Sequence, residues 1–178
     1  MRDRVEIVSG DITKQQVDAI VNAANSSLTG GAGVDGAIHA AAGRELYEEC
    51  LALGGCPTGE AKATKGYNLP AKWVIHTVGP IYRDGQRGEP EKLSRCYQNS
   101  LKTAAGLPAK TVAFPCISTG AYGFPFEDAT AIALDETIKF LQEDSSIEKV
   151  TFVCFGQEAF TTYQKMLAER MTGAPAGS

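Results

Sequence analysis

This chain has no cluster of positive charge. Its 17 lysines and arginines are scattered along 178 residues, and 21 aspartates and glutamates leave a formal net charge of −4. Proteins that grip the backbone of duplex nucleic acid gather cations on one face, so stable nucleic-acid binding is not expected. No stretch approaches the ~20 consecutive apolar residues that span a bilayer. The opening MRDRVEIVSGD carries charges and no apolar run of signal-peptide length. These two absences predict a cytoplasmic protein with no membrane partner. Five cysteines, Cys50, Cys56, Cys96, Cys116 and Cys154, are an odd number at spacings that fit neither a zinc site nor CxxC. Neither a disulfide framework nor a metal is expected. The common nucleotide signatures are missing as well: there is no GxxxxGK[ST] and no GxGxxG after a strand. The stretch CISTG at 116–120 has cysteine where a nucleophile elbow has glycine. Both histidines, His39 and His76, precede Ser118, whereas an α/β-hydrolase triad needs its histidine after the serine. That order argues against a serine hydrolase.

What is present is a regular alternation. Short β-branched runs at 5–9, 19–23, 61–64, 73–78, 112–115 and 150–155 read as strands, that at 61–64 being weak. Helical patterns occupy 33–42, 45–53, 91–105, 126–142 and 158–171. Thr13 with Gln16 suits a capping box for a short helix after the first strand. Strands alternating with helices predict an α/β fold whose mostly parallel sheet is covered on both faces. The length fits one domain over residues 1–171, with the small polar TGAPAGS at 172–178 as a disordered tail.

In such sheets ligands bind beyond the carboxyl ends of the strands, and four unusual segments fall there. The first is GDIT, 10–13. Asp11 could accept from an exocyclic amine, as in adenine, or close an ordinary Asx turn; the local sequence favours the turn. The second is IVNAANSSLTGGAGVDGAIHAAAG, 20–43. Asn22 and Asn25 end the strand, and Gly30, Gly31, Gly33 and Gly36 let backbone approach a ligand closely. A helix starting near Gly33 offers unpaired N–H groups and a positive dipole end, an anion site that needs no lysine or arginine. Asp35 is out of place beside a phosphate. It either caps the helix or faces a neutral part of the ligand, a ribose hydroxyl or a water. His39 lies at i+4 and can share its face, as a packing residue or as the partner of a water activator. The third is FPCISTGAYGFPF, 114–126, where Ser118, Thr119, Gly120 and Gly123 offer hydroxyl and backbone donors. Tyr122, Phe124 and Phe126 could wall a site or fill the core. The fourth is FVCFGQE. Phe155 could stack on a base, with a core position slightly favoured by the sequence alone.

Taken together, GDIT, IVNAAN, GGAGVDGAIH, IHTVGP and FPCISTGAYGFP resemble the macrodomain family, and most closely its MacroD-type branch of ADP-ribosyl hydrolases and O-acetyl-ADP-ribose deacetylases. The motifs run in order from about Val5 to Met171. The resemblance implies a three-layer α/β/α sandwich around a mixed, mainly parallel six-stranded sheet, with ADP-ribose as ligand. It implies that Asp11 accepts from the adenine amine, that Ile12 touches the base through its backbone and that Phe155 packs on it. Gly33, Val34, Ser118, Thr119, Gly120, Ala121 and Tyr122 would hold the pyrophosphate and distal ribose, with Asn22 also counted in the binding set. Asn25 would face the distal ribose, Asp35 would lie near its anomeric carbon, and His39 would shape that loop. The family's run of four glycines is broken here by Ala32. A methyl is tolerated there unless the position needs a positive φ.

The expected function is a hydrolase that removes mono-ADP-ribose from acidic side chains and deacetylates O-acetyl-ADP-ribose, with Asp35, Asn25 and His39 as its catalytic group. Its partners would be ADP-ribose and ADP-ribosylated proteins. No metal or cofactor is called for, and a monomer is the default for an acidic chain. Two other readings stay open: a module that binds ADP-ribose without turnover, and a single-strand binder that stacks bases on Tyr122, Phe124 and Phe155 but lacks a basic groove.

Overall fold

The computed structural model describes residues 2–172. Of the tail expected at 172–178, residues 173–178 lie outside the described residues. Six strands form one sheet in the order β1-β6-β5-β2-β4-β3. They are β1 (Val5–Ser9), β2 (Ala19–Ala23), β3 (Ala61–Lys65), β4 (Trp73–Thr77), β5 (Thr111–Phe114) and β6 (Lys149–Cys154). Every neighbouring pair is parallel except β3 with β4. The parallel pairs are joined through helices, as parallel connections require. The helices are α1 (Gly33–Ala42), α2 (Arg44–Leu53), α3 (Glu89–Gly106), α4 (Phe126–Glu143) and α5 (Gln157–Met171). The mixed, mainly parallel sandwich expected from the sequence is the fold observed.

Side chains of successive strand residues point to opposite faces, and the two cores follow that rule. Ala19 and Val21 of β2, Val112 and Phe114 of β5, and Val150 and Phe152 of β6 face one layer with Leu93, Tyr97, Leu134 and Tyr163 from α3, α4 and α5. Ile20, Ala113 and Val153, on the alternate positions of the same strands, face the other with Ile38 and Leu46 from α1 and α2. Because both faces are covered, the strands read as continuous apolar runs rather than alternating ones. Among the described residues, no helix is long and apolar enough to cross a membrane.

Two local expectations need correction. The turn after β1 is a 3₁₀ segment, Ile12–Lys14, capped by Asp11 rather than by Thr13. The Asp11 carboxylate reaches the Thr13 N–H at 2.9 Å, a two-residue link that a tighter helix favours over a Thr-to-Gln box. Phe124 is buried and Phe126 is packed against Tyr163, so of the three rings in that loop two belong to the core.

The parallel strands β1, β2, β4, β5 and β6 all end on the same side of the sheet. The loops that follow them, at 10–18, 24–32, 78–88, 115–125 and 155–156, therefore meet at one rim. The rim lies over the β5–β2 junction, where chain direction along the sheet reverses and a crevice opens.

Candidate active site

Two cavities share a wall at that crevice. One, of about 370 Å³, lies between the β2–α1 loop and the β5–α4 loop, with Asn25, Gly31, Asp35, Ser118, Gly120 and Tyr122 on its walls. The other, of about 710 Å³, lies over the ends of β1 and β6, against Asp11, Ile12, Ala37, Pro115 and Phe155. Gly33 and Val34, the first residues of α1, belong to both. No lysine or arginine lines either cavity among the described residues. The N-cap of α1 is Ala32, which offers no side-chain acceptor to the first-turn N–H groups. These donors stand at the shared wall, so an anion bridging the cavities would be held by backbone amides and the helix dipole.

Ala32 sits at φ −92°, ψ 177°, an extended conformation that any residue adopts; the positive φ of 62° falls one residue later, on Gly33. The break in the glycine run is therefore harmless to the backbone. Gly36 is more demanding. A Cβ there would lie 2.4 Å from the carbonyl oxygen of Gly31, so α1 is pressed directly onto the loop that precedes it.

That close approach carries Asp35 to the inner wall of the smaller cavity, where it is 5% exposed. Its Oδ1 accepts from Asn22 Nδ2 at 2.9 Å. Its Oδ2 faces Gly31, 3.5 Å from where a Cβ would stand on that glycine. Asn22 is not in either cavity. It is fully buried behind Asp35, because β2 and β4 pair Asn22 with His76. Its Nδ2 reaches His76 Nδ1 at 3.1 Å. An amide nitrogen only donates, so His76 Nδ1 is the acceptor and its proton sits on Nε2, 2.9 Å from Thr64 Oγ1. A chain of polar groups thus runs from β3 through β4 and β2 to the carboxylate in the cleft, and it fixes the orientation of Asp35. Asn22, expected in the binding set, thus lines neither cavity and stands behind Asp35.

Burial, and then the neighbouring His39, push the His76 imidazole down to about 3. His76 is neutral in the fold at neutral pH, whereas in the unfolded chain it takes up a proton below about 6.5. The unfolded state therefore binds more protons in the window from about 6.5 down to about 3. Stability should fall with decreasing pH there, at a slope approaching about 1.4 kcal/mol per pH unit from this group. Urea midpoints measured from pH 7 to 5 should show a steeper fall in the wild type than in His76→Gln.

His39 flanks the same carboxylate. Its Nε2 lies 3.5 Å from Asp35 Oδ1 without hydrogen-bond alignment, and its ring lies 3.6 Å from where a Cβ would stand on Gly30. His39 lines neither cavity and packs under the glycine loop. Asn25 does line the smaller cavity, half-buried, with Nδ2 donating to Gly30 O at 2.8 Å and Oδ1 accepting from Ser27 at 3.1 Å. One amide proton and one lone pair remain for a ligand.

On the opposite wall, Ser118 adopts φ 67° and its hydroxyl donates to Pro80 O at 2.9 Å. That bond draws the β4–α3 loop against the β5–α4 loop. A Cβ on Gly79 would collide with Ser118 Oγ at 2.2 Å, so glycine is required there. Gly120 and Ala121 are exposed and Tyr122 half-buried at the lip; Thr119 is half-buried and lines neither cavity. In the larger cavity, Asp11 Oδ1 accepts from the Thr13 hydroxyl at 2.7 Å and from the Thr13 N–H. These two bonds hold the Asp11 carboxyl below the usual carboxylate range. Its other oxygen is free to accept from a ligand. Phe155 is 92% exposed, which rules out the core position that the sequence favoured.

Sequence reasoning singled out neither Gly79 nor His76 for the site. The Cys116 thiol, in the wall of the smaller cavity, is half-buried, and a hydrogen bond from Cys154 lowers its pKa. All five cysteines are free thiols.

A crevice at the strand ends, with helix N-terminal amides, no cation and one buried carboxylate on the walls of its two cavities, defines an α/β protein with an anion site made of backbone. The sequence comparisons place it more narrowly. A model of the family described as Macro domain matches residues 21–133. A Macro domain-containing protein of Methanosarcina mazei is 55% identical over 167 residues, covering 94% of this chain and 89% of that one. An O-acetyl-ADP-ribose deacetylase of Enterobacter cloacae is 49% identical, covering 96% of this chain and 97% of that one. A mutant Oceanobacillus iheyensis macrodomain with ADPR superposes with a TM-score of 0.91 at 44% identity, over 96% of this chain and 95% of that one. The Trypanosoma brucei macrodomain in complex with ADP-ribose gives 0.87 at 45% identity, over 92% and 69%. The chain belongs to the macrodomain family.

Proposed function

We propose that residues 1–171 form one cytoplasmic, monomeric macrodomain that binds ADP-ribose and hydrolyses esters on its distal ribose. The substrates are mono-ADP-ribosyl groups on acidic side chains of proteins and O-acetyl-ADP-ribose. The observation that carries this reading is the buried Asp35 carboxylate, locked by Asn22 and His76 at the wall of a cleft otherwise built for an anion. A module that only binds has no use for a carboxylate where a phosphorylated ligand must lie. The relatives named O-acetyl-ADP-ribose deacetylase and the neighbours holding ADP-ribose support it.

Adenine occupies the larger cavity, with its amine on Asp11, its edge on Ile12 and its face on Phe155. The pyrophosphate crosses at Gly33 and Val34, each charge-assisted amide bond contributing roughly 1.5–3 kcal/mol. The distal ribose enters the smaller cavity between Asn25 and Tyr122, with Gly120 and Ala121 closing over it. Asp35 takes a proton from the attacking water. The water oxygen becomes part of a product and the ester C–O bond breaks, leaving a free ribose hydroxyl and a free carboxyl group. The products are the same whether attack is on the acyl or the anomeric carbon. Asn25 orients the ribose, and His39 keeps the glycine loop in place.

Release of ADP-ribose from a protein modified on glutamate, followed over hours at equal enzyme and substrate, tests the reading. Binding of ADP-ribose with no release would make the protein a reader. The adenine placement has its own test. Phe155→Ala should weaken ADP-ribose binding roughly 5- to 30-fold, the lower range for one lost stacking face. The melting temperature should not move, because so exposed a ring contributes nothing to the core. A destabilised variant with unchanged affinity would contradict the stacking role.

A further inference from the structure

A third cavity, of about 270 Å³, continues the line of the first two. It shares Gly79 and Tyr122 with the Asp35 cavity, just as that cavity shares Gly33 and Val34 with the adenine side. The three stand in sequence around the rim, and the third lies beyond the distal ribose. Its chemistry is opposite to the others. Neither of the first two has a cation; this one is lined by Arg83, Arg87 and Lys92, with Glu89 the one acidic residue among them.

The β4–α3 loop that carries the arginines is a built structure. It wraps around the buried carboxylate of Glu89, 2% exposed. Glu89 Oε2 accepts from the backbone N–H groups of Arg83 at 2.9 Å, Asp84 at 3.2 Å and Gly85 at 3.2 Å, and Oε1 accepts from Arg87 N at 2.8 Å. Burial alone would raise this carboxyl, but the backbone donors outweigh it and hold it at about 2. Glu89 is thus consumed by the loop backbone and does not pair with a side chain. Arg87 contacts Asp84 at 3.5 Å across exposed surface. Among the described residues, no carboxylate lies within ion-pair distance of Arg83 or Lys92. In a chain of net charge −4, Arg83 and Lys92 face this cavity with no carboxylate of their own, while Arg87 is shared with Asp84.

We infer that this cavity is the acceptor subsite: it takes the acidic peptide stretch around the residue that carries the ADP-ribosyl group. The inference rests on the proposed placement of ADP-ribose. With the distal ribose in the Asp35 cavity, whatever is bonded to it must leave past Gly79 and Tyr122, into the cationic space. The ligand's own phosphates are spoken for at the first turn of α1, on the other side of the ribose. A cavity this small, with no basic groove leading away from it, suits a short acidic segment better than a nucleic-acid strand. The site would favour targets modified within clusters of aspartate and glutamate.

Binding to peptides with ADP-ribose attached to one side chain through a hydrolysis-resistant linkage tests this independently of turnover. One peptide has aspartates flanking the modified residue, a second has serines, and a third has lysines. The wild type should bind the aspartate peptide roughly three- to tenfold tighter than the serine peptide, the range for two or three exposed ion pairs. The difference should shrink at high salt. Arg83→Ala/Lys92→Ala should erase it, with free ADP-ribose affinity and O-acetyl-ADP-ribose turnover unchanged. Arg83→Glu/Lys92→Glu should prefer the lysine peptide. Equal binding of all three peptides by wild type overturns the inference, as does a preference that survives the double substitution. Weaker binding of free ADP-ribose by the alanine variant also overturns it, by assigning the cations to the phosphates. So does a terminally ADP-ribosylated oligonucleotide that gains more affinity than the aspartate peptide. If the peptide preference holds while esters are not cleaved, the hydrolase reading fails and the acceptor subsite stands.

Discussion

Asp35→Ala will lower ester hydrolysis by about 10²–10⁴-fold, the range for losing a positioned acid–base group, while the variant still binds ADP-ribose. The two effects separate for a structural reason. In the proposed pose, binding is built from backbone amides at Gly33 and Val34, from Asp11 and from Phe155, none of which depends on the Asp35 side chain. The carboxylate itself is buried and receives Asn22 Nδ2 at 2.9 Å. Truncation leaves that donor without its acceptor, so a modest loss of stability is expected as well, about 1–3 kcal/mol. Asp35→Asn controls for it by keeping the volume and an oxygen that can accept from Asn22. Both variants should be equally slow. Release rates, measured beside calorimetric titration of ADP-ribose, decide the matter. Wild-type turnover in Asp35→Asn would remove the carboxylate from the chemistry and leave the substrate's own groups to activate the water.

Gly36→Ala should damage both the fold and the site, although it adds a single methyl group to a helix. The new Cβ would stand 2.4 Å from Gly31 O, where ordinary contact begins near 3.4 Å. Either α1 or the 30–32 loop must retreat by about 1 Å. Overpacking of this kind costs roughly 1–3 kcal/mol, a loss of a few to about 10 °C in melting temperature. The retreat moves Asp35 and the first-turn amides relative to Asn25. A 1 Å misplacement of a reacting group costs on the order of 10²-fold in rate. Gly106→Ala, at the end of α3 with nothing within 4 Å of its Cβ, is the matched control and should leave melting and turnover unaltered. Unchanged turnover in Gly36→Ala would mean that the loop is soft enough to yield without disturbing the carboxylate.

The alternation of apolar runs and helical patterns was enough to place every strand and helix to within a few residues. The inner strands β2, β4, β5 and β6 are buried on both faces and the helices are amphipathic, so local pattern and final burial agree there. The antiparallel β3 was the weak run, and it lies at the sheet edge, where pairing on one side only leaves a weaker pattern. The capping residue after β1 was misread because Asp11 and Thr13 are both good caps, and two residues of spacing decide between a 3₁₀ turn and an α-helix.

At the site, the sequence by itself determined the glycines, the lone carboxylate and the lack of cations, and with them an anion site made of backbone. Those are properties of residue type at a strand–helix junction, a local feature. The tertiary structure alone decided which polar groups meet. Asn22 lies buried behind Asp35 because parallel β2–β4 register sets it beside His76, 54 residues away. Phe155 and Phe124, alike in sequence, parted into exposed platform and core because one ends a strand at the rim while the other folds back under Tyr82. Arg83, Arg87 and Lys92 looked like scattered charge. They became one surface when four backbone N–H groups closed around Glu89, and the Ser118–Pro80 bond drew that loop up to the cleft. Chain pattern fixes what can be buried; which side chains share a cavity depends on strand register and loop closure, and those are set by contacts between residues far apart in the chain.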